Sequence, residues 1–154
     1  MGRYEELVAK YPNLHIKETS MLPCFQSGMY VNGEIYINKD RDTSTKLETL
    51  AEEIAHHKIS YGNILDTSKT MNRKYELKAR RLASEMLVTL NDIVEAFKFG
   101  VHNLFELAEY LEVTEEFILN AIQHYKKKYG LTAQCGDYAI QFEPLRVFKY
   151  ENIE

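Results

Sequence analysis

At 154 residues, with 45% hydrophobic and 27% charged side chains, the chain has the composition of a globular domain long enough to bury a sizeable core. Its formal charge of −4 disfavours a general binder of nucleic acid or anionic membrane. No apolar run reaches membrane-spanning length, and residues 1–6 carry neither an apolar signal segment nor a myristoylation pattern, so a cytoplasmic protein is expected. Cys24 and Cys135 stand far apart, outside any C-x-x-C spacing, as two reduced thiols would. Residues 3–11 predict a short amphipathic helix through Leu7 and Val8, closed by Pro12. Leu14-His15-Ile16-Lys17 alternates like a strand that Leu22-Pro23 breaks. Met29-Tyr30-Val31 and Glu34-Ile35-Tyr36-Ile37 flank Asn32-Gly33, a strong hairpin signal, so a small antiparallel sheet is expected before residue 42.

A long helix follows. Leu47, Leu50, Ala51, Ile54, Ala55 and Ile59 recur at helical spacing, with Thr45 and Glu48 as a capping box or Asp42 and Thr43 as alternative caps. It ends near Ser60, and a loop from Tyr61 runs to about Thr70. In the next helix Tyr75, Ala79, Leu82, Ala83, Met86 and Leu90 mark the buried face. Asn91-Asp92 caps a short helix closed by Gly100, Asn103 with Glu106 caps another, and Val113-Thr114 opens a third that ends at Gly130. The run from Leu107 to Ile118 has a helix-turn-helix look, but its second helix opens with Glu115-Glu116, which a phosphate backbone repels. That part reads as a packing module with no direct nucleic-acid contact. The tail alternates as strands over Tyr138–Phe142 and Arg146–Phe148 around Pro144.

The expected fold is therefore α+β, a small antiparallel sheet packed on a helical bundle. A single domain is expected over 1–154. It comprises a helix and sheet (1–42), a helical pair (43–91), a helix-turn-helix-like part (92–130) and C-terminal strands (131–154).

Chemistry concentrates in Leu50-Ala51-Glu52-Glu53-Ile54-Ala55-His56-His57. The zinc-peptidase pattern H-E-x-x-H sets two ligands one helical turn apart with a general-base Glu beside the first. Here Glu52 occupies the first ligand position, Glu53 the base position and His56 the second ligand position. A carboxylate can bind zinc, so the change weakens the pattern without abolishing a site. The alternative is a solvated flank of i,i+4 Glu/His pairs. Glu76 falls on the same row of the following helix as Ala79 and Ala83, and an inward carboxylate needs a partner. That partner is either Arg80 at i,i+4 or a metal shared with His56.

These residues, together with Glu76-x-x-Ala79-x-x-Leu82-Ala83-x-x-Met86-Leu87 and the segment from Leu107 to Gly130, resemble the ImmA/IrrE family of metallo-endopeptidases. The variant resembled most is carried by prophages and mobile elements and has Glu-Glu where other members have His-Glu. The resemblance implies a zincin-like active-site helix and a zinc-dependent intracellular endopeptidase of the gluzincin type. It would cleave or inactivate a helix-turn-helix repressor. The alternative is a catalytically degenerate fold that binds the repressor as an antirepressor. The resemblance further implies Zn2+ held by Glu52, His56 and Glu76, with Glu53 as the catalytic base. His57 would lie behind the ligands, donating to a carboxylate such as Asp66. Tyr61, Tyr75 and His102 are the candidate oxyanion donors.

Overall fold

The Asn32-Gly33 turn organises the first sheet. Both residues take positive φ (50° and 79°), the type I′ geometry that matches strand twist and lets Val31 pair directly with Glu34. The structure, a computed structural model, describes residues 2–60 and 69–150, and of residues 69–72 the backbone alone. It is α+β and divides into two compact units, Met1–Leu87 and Val88–Glu154.

The first unit contains α1 (Arg3–Lys10), β1 (His15–Thr19), β2 (Gly28–Val31), β3 (Glu34–Asn38), α2 (Thr43–Ser60) and α3 (Lys69–Leu87). The hairpin strands are antiparallel as expected, but β1 joins the other side of β3 in parallel, giving the order β1-β3-β2. Alternation along a strand says which face is buried, not which neighbour it pairs with. The chain between β1 and β2 crosses the end of β3 instead of turning back on β1. Asn38 holds that crossing: it is 4% exposed, its backbone N–H donates to Ser27 O (2.7 Å) and its Nδ2 to Gln26 O (2.9 Å).

β2 and β3 pack on α2. Ile35 and Ile37 of β3 and Leu50 and Ile54 of α2 are fully buried. All six residues of the expected α2 stripe are buried, and Thr49 joins them. Asp42 is the cap: its Oδ1 accepts from Thr45 N–H at 2.8 Å, and that bond draws its carboxyl below the usual range. α3 ends at Leu87, three residues short of the Leu90 expected within it, and Leu90 instead opens the next helix. Arg3 of α1 donates to Leu87 O at 2.9 Å, covering one of the orphan carbonyls at the end of α3.

The second unit contains α4 (Leu90–Phe99), α5 (Leu104–Leu111), α6 (Glu115–Tyr129), β4 (Thr132–Cys135), β5 (Tyr138–Phe142) and β6 (Leu145–Lys149). Thr89, not Asn91-Asp92, caps α4, in a reciprocal capping box with Asp92. Asn103 and Thr114 cap α5 and α6. Leu107, Ile118 and Ile140 are fully buried, and Tyr125 donates its hydroxyl to Val88 O at 2.6 Å. The three strands form an antiparallel meander. Among the described residues, no helix is long and apolar enough to cross a membrane.

The contact of β2 with α2 passes through Gly28. A Cβ built there would lie 2.4 Å from Thr49 Cγ2 and 3.1 Å from Tyr36 O. Gly28→Ala is therefore expected to push β2 off the helix and lower the unfolding free energy by about 1–3 kcal/mol in urea titration.

Candidate functional site

α2 carries its polar residues on two flanks, and each flank meets a different neighbour. Glu52 and His56, one helical turn apart, face α3; Glu53 and His57, also one turn apart, face β2. The α3 contact is close because the helices meet through small residues. Ala55 and Ile59 of α2 pack with Ala79 of α3, flanked by Tyr75 and Leu82. Alanines at a crossing let helix axes approach at the short end of their usual range.

Across this seam His56 Nε2 lies 3.3 Å from Glu76 Oε2. The imidazole is 13% exposed and the carboxylate 56%. Glu76 is thus less inward than its row with Ala79 and Ala83 implied, because a cavity of about 440 Å³ lined by Arg73, Glu76, Leu77 and Arg80 opens beside it. Tyr75 fixes the imidazole from behind. Its hydroxyl donates to His56 O at 3.0 Å, and the two rings lie 5.0 Å apart between centroids.

The spacing of the His56–Glu76 pair is longer than the roughly 2.7–2.9 Å of a charge-assisted hydrogen bond. It is compatible with the roughly 3.3–3.4 Å that separates two N and O ligands around one tetrahedral zinc ion at bond lengths of about 2.0–2.1 Å. His56 and Glu76 therefore fit two places of a metal site. Among the described residues, no third His, Cys, Asp or Glu converges with them. Glu52 is close enough to feel Glu76 but does not join the pair.

On the β2 flank, Tyr30 and His57 meet through the tyrosine hydroxyl and Nδ1 at 2.9 Å, with the rings edge-on at 5.6 Å. Asp66, the carboxylate considered for His57, lies outside the described residues, as does Tyr61. His102 is exposed and belongs to the second unit. Glu53 extends over β2, its Cγ 3.5 Å from the place a Cβ on Gly28 would take. Burial, and then the charges of Glu52 and Glu76, push its carboxyl up to about 7. Burial also raises Glu52, against the pull of the Arg80 guanidinium, while Glu48 and Glu76 add to the rise. The Tyr75 hydroxyl is raised by burial, partly offset by a hydrogen bond with Ser60.

A family model, the IrrE N-terminal-like domain of a peptidase family, matches residues 9–123. The chain belongs to that family. This IrrE-like domain is therefore of a peptidase type. A solved structure, a Mycobacterium tuberculosis transcriptional regulator, superposes with a TM-score of 0.60 at 12% identity, covering 78% of this chain and 40% of the regulator. At that identity the likeness shows the fold alone, and the chain spans well under half of the regulator's length. No curated protein matches the chain.

Outside the motif, on β2, Tyr30 is a site neighbour that the motif pattern does not indicate. Its signal was the strand register: Tyr30 pairs with Ile35, which is fully buried, so both face the helix. Glu76 engages His56 instead of the Arg80 one turn along its own helix.

The raised Glu53 carboxyl has a consequence for stability. A carboxyl with a higher pKa folded than unfolded favours the folded state below the unfolded value, and that benefit is lost as pH rises through the folded one. In metal-free protein, the unfolding free energy should fall between pH 4.5 and about 7. Glu53→Gln should flatten that fall, by at most about 3 kcal/mol in urea titrations across the window.

Proposed function

We propose that the first unit is a metal-dependent endopeptidase site that inactivates a helix-turn-helix repressor in the cytoplasm. The observation that carries this reading is the placement of His56 Nε2 and Glu76 Oε2, 3.3 Å apart on two neighbouring helices within a peptidase-family domain. His56 and Glu76 would hold a zinc ion, with Glu52 the nearest further carboxylate on the same flank. The chemistry that zinc supplies when bound is polarisation of the scissile carbonyl and acidification of a water. Glu53, on the neighbouring flank with its carboxyl raised towards neutrality, would take a proton from the attacking water and return it to the leaving amine. Tyr75 fixes the orientation of His56 through ring contact and its bond to the backbone of α2. The repressor as substrate follows from the resemblance of the motif region. Direct DNA contact forms no part of the reading, since the first turn of α6 exposes Glu115 and Glu116.

A second reading is favoured by one observation: Glu52 does not converge with His56 and Glu76. Under it the chain binds the repressor and relieves repression without cutting it.

Incubation of purified protein with a candidate helix-turn-helix repressor, with and without chelator, separates the two. Chelator-sensitive fragments are expected. His56→Ala and Glu76→Ala should each lose bound zinc by elemental analysis. Glu53→Gln should retain zinc and slow cleavage by roughly 10²–10⁴-fold. Relief of repression that survives Glu53→Gln, with the repressor intact, would establish the second reading.

A further inference from the structure

α1 packs on α2, with Lys10 in the last turn of the one and Lys58 in the last turn of the other. The chain leaves α1 through Tyr11-Pro12-Asn13-Leu14, a turn closed by Leu14 N–H donating to Tyr11 O at 3.1 Å. The two helix ends and this turn border an open cavity of about 450 Å³, lined by Lys10, residues 11–14, His57 and Lys58. Two of these side chains are held in place. Lys58 Nζ lies over the Tyr11 ring, 5.2 Å from its centroid, and the Tyr30 hydroxyl meets His57 Nδ1 at 2.9 Å. No Asp or Glu lines the cavity, and among the described residues no ion pair uses Lys10 or Lys58.

Charge decides what such a cavity takes. The carbonyls at each helix C-terminus amount to about half a negative charge, which a lysine in the last turn offsets. Two full positive charges set against two halves leave roughly one positive charge at the cavity. The whole chain carries −4, so this is a local reversal of sign. A long polyanion meets the overall negative field, whereas a short acidic segment needs only the charge of the cavity itself. Pro12, Leu14 and the Tyr11 ring add an apolar wall, which a phosphate ion does not use and an apolar residue next to a carboxylate does.

We propose that this cavity docks an acidic segment of a protein partner, with a carboxylate between Lys10 and Lys58 and an apolar neighbour against Tyr11 and Leu14. The site shares no residue with the His56–Glu76 pair, so it stands whether or not that pair holds a metal.

The test is a titration of metal-free, 15N-labelled protein followed by amide shifts. Four probes are used: a capped peptide of two glutamates between two leucines, its glutamine counterpart, inorganic phosphate and a ten-nucleotide single-stranded RNA. The glutamate peptide should give saturable shifts centred on residues 10–14 and 57–58, and the glutamine peptide should bind about 5–20-fold more weakly. Lys10→Gln and Lys58→Gln, both at exposed positions, should each weaken the glutamate peptide about 2–5-fold, and the double variant about 5–20-fold. Lys127→Gln, an exposed lysine of α6, should change nothing. Added salt should weaken the glutamate peptide and leave the glutamine peptide unchanged. Equal binding of the two peptides, shifts centred elsewhere, no loss in the double variant or no binding at millimolar peptide overturns the proposal. Phosphate or the RNA saturating these same residues more tightly than the glutamate peptide also overturns it, in favour of a phosphate site.

Discussion

The crossing of α2 and α3 through alanines is the constraint on which the candidate site depends. Bulkier residues at Ala55 and Ala79 would hold the helices apart, and a Glu side chain from α3 would then fall short of the imidazole on α2. Because both positions are fully buried, the approach cannot be relaxed by turning a side chain outward. The site is thus a product of core packing. Its polar groups meet where two apolar stripes have been brought together, at the edge of the stripe and not within it.

The same helix serves two partners. Leu50, Ala51, Ile54 and Ala55 occupy its buried centre, and on the remaining arc Glu52 and His56 lie at one edge with Glu53 and His57 about 100° round at the other. This is why the doubled motif, Glu52-Glu53 followed by His56-His57, does not bring four polar groups to one point. It makes two i,i+4 pairs, one looking across at α3 and one looking at β2. Glu53 on the β2 flank still feels Glu52 and Glu76, because Coulomb forces act through a partly buried region over longer distances than ligation does. Glu53 and His56 of the His56–Glu76 pair therefore sit on one helix, electrically coupled while meeting different neighbours.

Much of the fold was legible because its signals are local. The Asn32-Gly33 turn, the α2 stripe and the Asn103 and Thr114 caps each depend on residues within a few positions of one another. Strand β4 escaped notice although its signal was also local: Gly136-Asp137 forms a two-residue turn with positive φ at Gly136, pairing Cys135 with Tyr138. The parallel partner of β3 was not legible, since nothing in the alternation of β1 encodes strand direction. For the site, the motif spacing places Glu52 and His56 on one flank, and the row of Glu76 places it towards α2. Its exposure depends on what lies opposite at that level, which is a property of the pair of helices and not of either one. Tyr30 depends on strand register in the same way. The placement of Asp66 and Tyr61 lies outside the described residues.

Glu52 concentrates the physical question that this chain raises. Where related motifs carry a histidine, a neutral donor, this chain carries an anion, so the seam gains one negative charge beside Glu76 and Glu53. A half-buried carboxylate among other carboxylates must be protonated, paired with a cationic side chain, or neutralised by a bound cation. Burial favours the first, the field of the Arg80 guanidinium opposes it without a close ion pair among the described residues, and a metal shared with His56 would supply the third. These outcomes are mutually competitive, since a carboxylate that is protonated or engaged by a guanidinium is a poor ligand. The charge change thus turns the first ligand position of the motif into a balance between α3 and a cation.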